Sequence, residues 1–199
     1  MKKIILLPII ILVIQSALAQ QGDFKTYIST ARTSYTSGKL EDAHFSLQQA
    51  MLELDIIIGK EVLKLLPPKM DTLSVNTADD NVTGNISFVG ATIHRSYGAK
   101  QRAEIEIINN SPMLATLNAF LNMPLGGLMK DENNKTVKVQ GYKARLERQL
   151  NGEGQQPTYV LNVPLNTALV TFTVRETSEN DILKLANTIP LQQVAKLIQ

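Results

Sequence analysis

Hydrophobic positions along this chain change their period twice, which divides it into three stretches. The first is an apolar run from Ile4 to Ile14, preceded by Lys2 and Lys3 and followed by Ala17-Leu18-Ala19. A positive start, about eleven apolar residues and a small-x-small site predict a secretory signal peptide over 1–19, since a spanning helix needs about twenty. The second stretch, 20–68, is helical in period. Leu40, Ala43, Leu47, Ala50, Leu54, Ile57, Ile58 and Leu65 recur at steps of three and four and predict one buried stripe. A shorter helix carrying Tyr27, Ala31 and Tyr35 precedes it across Gly38, and Leu66-Pro67-Pro68 ends the pair, because a residue before proline leaves the helical region. The expected product is a hairpin whose long arm runs for about 25 residues, or about 37 Å.

The third stretch, 69–199, has period two. Ile86 and Phe88 form one short alternation, and Ile93, Arg95 and Tyr97 a second. Ala103, Ile105 and Ile107 alternate with Glu104 and Glu106, predicting a strand with one wet face. Tyr142-Ala144-Leu146, Tyr159-Leu161-Val163 and Val170-Phe172-Val174 predict three more strands, while the polar run Asn76 to Asn85 reads as a loop. Two helices join the strands. One starts at Ser111-Pro112, with serine as cap and proline at the first helical position, and stops at Pro124 and Gly126-Gly127. The other opens on the capping box Ser178 to Asp181 and is interrupted by Pro190. The predicted class is α+β: an N-terminal helical hairpin, then an antiparallel sheet wet on one side and covered by two helices on the other.

Composition narrows the function. The chain has no cysteine, so a thiol nucleophile is impossible and no lipid-anchoring cysteine follows the signal. A free periplasmic or secreted product is expected. Of 20 Lys and Arg, two lie in the signal, leaving 18 against 18 acids in the mature chain. A neutral chain without tryptophan offers no field or stacking platform for nucleic acid. Past the signal, no apolar run reaches spanning length, so no integral membrane segment is expected.

Candidate chemistry is sparse. His44 sits beside the helical stripe and His94 on a strand, facing away from Arg95, without the spacing that a metal site or catalytic pair requires. Ser111 has a sufficient role as a helix cap. Among acids, Glu104 and Glu106 read as a wet strand face, and Asp79-Asp80 as loop residues lacking the further ligands of a calcium site. Gly126-Gly127 follows a helix rather than opening one, so it reads as a stop and not a phosphate loop. The sequons at Asn81, Asn85, Asn109 and Asn134 read as chance in an asparagine-rich chain. No catalytic, cofactor-binding or metal residue is assigned, and no cofactor is expected. The richest apolar segment, Met113 to Met129, reads as a helix packed on the sheet or as a surface for a partner or lipid-like ligand.

Tyr27, Ala31, Gly38, Leu40, Ala43, Leu47 and Ala50 stand at spacings that resemble a single tetratricopeptide repeat, although Asp55 replaces the terminal proline and no second copy follows. The remainder, with Arg95-x-Tyr97, Asn110-Ser111-Pro112, the strand Val139-x-Gly141-Tyr142-x-Ala144 and the Ser178-to-Ile189 helix, resembles a group of uncharacterised Gram-negative bacterial envelope proteins. That resemblance implies an envelope location and carries no activity. The expected function is a non-enzymatic exported envelope protein, a protein-interaction or accessory module whose hairpin meets a partner. The alternative is a carrier of a small apolar or lipid-like ligand, held between the sheet and the 112–129 helix.

Overall fold

The computed structural model describes residues 23–85, 90–123 and 133–198; the predicted signal, the Ile86-Phe88 alternation and Gly126-Gly127 lie outside them. The hairpin is α1 (Phe24–Thr36) and α2 (Leu40–Leu65). Asp23 caps α1 by accepting from the Thr26 amide at 2.8 Å. Gly38, at φ 73°, ends it in the left-handed region, with the Lys39 amide reaching back to the Ser34 carbonyl at 2.9 Å. The 26-residue α2 stops at Leu66, which turns extended ahead of Pro67 as expected.

Among the described residues eight strands follow: β1 (Lys69–Met70), β2 (Leu73–Asn85), β3 (Gly90–Tyr97), β4 (Ala103–Asn109), β5 (Asn134–Val139), β6 (Tyr142–Gln149), β7 (Thr158–Leu165) and β8 (Ala168–Val174). Helices α3 (Leu114–Asn122), α4 (Glu179–Ala186) and α5 (Leu191–Leu197) complete the chain, with Pro190 separating the last two. Every strand pairing is antiparallel, in the order β1-β2-β3-β4-β8-β7-β6-β5. Two four-stranded meanders therefore meet along β4 and β8. The α+β class stands.

Several local expectations change. The polar run Asn76 to Asn85 is strand rather than loop, paired with β3 through an irregularity in which five steps along β2 match two along β3. Asn134, one of the sequon residues, opens β5. Val139 and Tyr142 are not one strand but the two ends of a hairpin turn, with Gln140 and Gly141 at φ 50° and 89°. The α3 helix begins at Leu114, two residues beyond Pro112. Ser111 is buried and accepts from the Met113 amide at 3.4 Å in the turn ahead of the helix, not as its cap.

Covering of the sheet also differs from expectation. The core face carries Ile93, Tyr97, Ile105, Ile107, Phe172 and their neighbours. It is covered by the C-terminal half of α2, through Val62 and Leu66, and by α4 and α5, through Ile182, Leu185, Leu191 and Val194. The opposite face, expected to be wet throughout, is wet along Glu104, Glu106 and Thr173 but covered at one end by α3. There Leu117 and Leu121 close on Leu169, and Arg145 stacks its guanidinium 5.2 Å from the Phe120 ring centre. Among the described residues, one side of the sheet thus holds three helices and the other holds one.

Candidate functional site

The hairpin grips the sheet with one half of α2 and leaves the other half free. Close approach comes from two glycines, one on each element. A Cβ on Gly59 of α2 would sit 2.7 Å from Val82 Cγ1, and one on Gly84 of β2 would sit 2.6 Å from Leu52 Cδ1. Each glycine therefore makes room for large side chains from across the contact, Val82 and Ile93 over Gly59 and Leu52 and Ile56 over Gly84. Asp55, half-buried in this contact, accepts from Asn109 Nδ2 at 3.4 Å, and burial pushes its carboxyl above the ordinary range.

The end of α2 is tied down by β3. Arg95 is buried; it donates from Nε and Nη2 to the Asp80 oxygens at 2.8 and 2.6 Å, and from Nη1 to the Leu66 carbonyl at 3.0 Å. Tyr97 donates from its hydroxyl to the Pro67 carbonyl at 2.9 Å, and burial pushes its phenol up to about 12. These are carbonyls at a helix end, which no following turn satisfies. The Arg95-x-Tyr97 motif is thus a clamp on the helix.

The irregular part of β2 carries Asp79 and Asp80, and it aims them at opposite faces. Asp80 meets Arg95 on the core side, while Asp79 accepts from Ser96 Oγ at 2.5 Å, which holds its carboxyl below the usual value. The two acids are therefore separate structural anchors. Glu104 takes Arg175 at 2.7 Å, and Glu106 stands exposed opposite His94. His44 is exposed on α2, far along the chain from the strand that holds His94. Among the described residues, no three or more His, Asp or Glu side chains come together as a metal site. No described helix is long and apolar enough to cross a membrane.

A cleft of about 460 Å³ opens between the β1–β2 turn and α4. Its floor is Met70, Leu73, Val174 and Leu185, and Asp71 and Lys184 face each other across its mouth at 3.7 Å. Both are more than half exposed, and Arg102 on the same rim is already bonded to Glu176. The space between α3 and the sheet, expected to suit an apolar ligand, contains Leu114, Leu117, Phe120, Leu121 and Leu169.

The feature with the largest consequence is an exposed apolar face. Ile28, Tyr35, Leu40, Phe45, Leu47, Met51, Leu54 and Ile57 of the hairpin are 41% to 68% exposed. Only Met113, Met123, Leu150 and Leu197 match them elsewhere among the described residues. The predicted buried stripe of α2 is therefore corrected. Its small members Ala43 and Ala50 are buried against α1, as is Ala31 from the other side, while Leu40, Leu47, Leu54 and Ile57 are not covered. At about 100° per residue, Leu40, Leu47 and Met51 fall on the same side of the hairpin as Ile28 and Tyr35. Sequence reading finds the stripe but misses its exposure; the alternation of leucine with alanine was the available signal.

No protein-family model, curated protein or solved structure matches this chain.

Proposed function

We propose that this chain is an exported, non-enzymatic interaction module of the bacterial envelope, in which the α+β domain holds an N-terminal hairpin whose apolar face docks a protein partner. The observation carrying this reading is the concentration of exposed large apolar side chains on two helices, five of which, Ile28, Tyr35, Leu40, Leu47 and Met51, share one side of the hairpin. Soluble monomers rarely leave a continuous apolar patch of that kind without an interaction to make. Export follows from the Lys2-Lys3, apolar run and Ala17-Leu18-Ala19 layout. The carrier reading has less support, since the α3–sheet contact is occupied by leucines and a phenylalanine.

Site-specific photo-crosslinking in the envelope tests the proposal. A crosslinking residue at Leu47 should yield defined protein adducts, and one at Glu106 on the sheet's wet face should not. Equal adducts from both positions, or none from Leu47, would remove the hairpin as the docking surface.

A further inference from the structure

The exposed face has a seven-residue order that specifies its occupant. Along α2, Leu40, Leu47 and Leu54 repeat every seven residues, with Ala43, Ala50 and Ile57 three places after each. Along α1, Phe24 and Ala31 alternate with Ile28 and Tyr35 at steps of four and three. These are the two core positions of helices that pack side by side at a shallow angle. A lone hairpin uses only half of such a seam. Here the alanines fill the contact within the chain, and Ile28, Tyr35, Leu40, Leu47 and Leu54 remain uncovered along its margin. A two-helix face of this kind is completed by two more helices with the same repeat, closing a four-helix bundle.

Resting on the docking role of this face, we infer that its occupant is a second copy of this chain, paired about a two-fold axis parallel to the helices. Charge selects that arrangement. Lys25 and Arg32 flank the face on the outer edge of α1, while the outer edge of α2 carries His44, with Glu41 one turn before it. Setting α1 of one copy beside α2 of the other brings Arg32 within a turn of Glu41 and keeps both basic residues away from their duplicates. The rival arrangement, α1 on α1, sets Lys25 and Arg32 against their own duplicates. An isologous pairing needs such self-complementarity. The face measures roughly 20 Å by 25 Å, two helix diameters by the paired length, so both copies together bury about 1,000 Å². That area sits at the lower end of what a specific, weakly held dimer buries.

Sedimentation velocity of the exported chain, from about 1 to about 200 µM, reads the association directly. A monomer–dimer equilibrium with its midpoint in that range is expected. The double substitution Leu47→Asp with Met51→Asp should weaken it at least about 100-fold while leaving the circular-dichroism melt unchanged, since both side chains are half exposed. Because the chain lacks cysteine, Arg32→Cys and His44→Cys proteins can be mixed and oxidised. A disulfide between the two different variants is the expected product. A chain monomeric throughout overturns the inference, as does a dimer that survives the double substitution or one that links Arg32→Cys only to itself. If the chain is monomeric while Leu47 still crosslinks another protein, self-pairing falls and the docking role stands.

Discussion

Arg95 and Asp80 form a two-pronged ion pair inside the fold, 2.8 Å from Nε and 2.6 Å from Nη2, and the third guanidinium nitrogen holds the Leu66 carbonyl. A single side chain therefore joins the irregular part of β2, the strand β3 and the end of α2. Removing one partner of a buried pair strands the other charge, which costs about 3–5 kcal/mol. Asp80→Asn should lower unfolding free energy by that order, whereas Arg95→Met with Asp80→Leu together should cost less than Asp80→Asn alone. Urea titration of the three proteins checks both statements.

Tyr97 carries a pH signature. Its phenol is raised to about 12 in the folded chain, against an ordinary value of 10.0. The unfolded chain releases this proton first, so the folded state binds more protons above pH 10. Stability from this group is complete below about pH 10 and is lost as pH rises toward about 12. Tyr97→Phe should flatten that part of the profile and, through the lost bond to Pro67, cost about 1 kcal/mol at pH 7. Unfolding midpoints for both proteins between neutral and alkaline pH decide the matter.

Asp55 behaves in the same sense at the acid end. Burial raises its carboxyl above 3.8, so its ionisation opposes folding as pH climbs past the folded-state value. Asp55→Asn should therefore stabilise the protein at pH 7, and the gain should vanish near pH 3. Thermal melts at the two pH values measure this.

The glycine contact between α2 and the sheet predicts a strong size effect. Gly59→Leu has no room beside Val82 and Ile93, which lie 2.7 and 3.1 Å from where a Cβ would stand. Overpacking of this kind costs about 1–3 kcal/mol, and pushing α2 away should also weaken the Arg95 and Tyr97 bonds to its end. Gly38→Ala meets no neighbour and should cost only the strain of its φ of 73°, about 1 kcal/mol. Denaturant midpoints rank the two.

Burial in the hairpin reverses the usual order of side-chain importance. Ala50 is 1% exposed and Leu47 is 48% exposed. Ala50→Leu should destabilise by about 1–3 kcal/mol by forcing α1 off α2, while Leu47→Ala should cost less than about 1 kcal/mol in the monomer. Melting of dilute samples, where association is absent, separates these effects.

Much of the fold was legible in advance because it depends on neighbours in sequence. The proline pair after Leu66, the glycine at 38 and the Ser178 cap act over one turn of chain, and each stands where expected. The run Asn76 to Asn85 did not read as strand, because its polar side chains are satisfied by residues distant in sequence: Asn76 by Ser96 and the Gly98 carbonyl, Asp80 by Arg95. Strand propensity is weak against such tertiary partners. The candidate site was half legible. The leucine–alanine repeat was visible, but its leucines were assigned to the interior.

By itself, the sequence determined the class, a helical hairpin ahead of an antiparallel sheet, since periods of 3.6 and two are properties of the local backbone. Only the tertiary structure decided which faces are covered. It put α3 on the second face of the sheet, turned Asp79 and Asp80 to opposite sides, and left Leu40, Leu47 and Leu54 exposed. The reason is physical: an amphipathic stripe states that a helix has a face to bury, and the same stripe serves a partner within the chain or outside it.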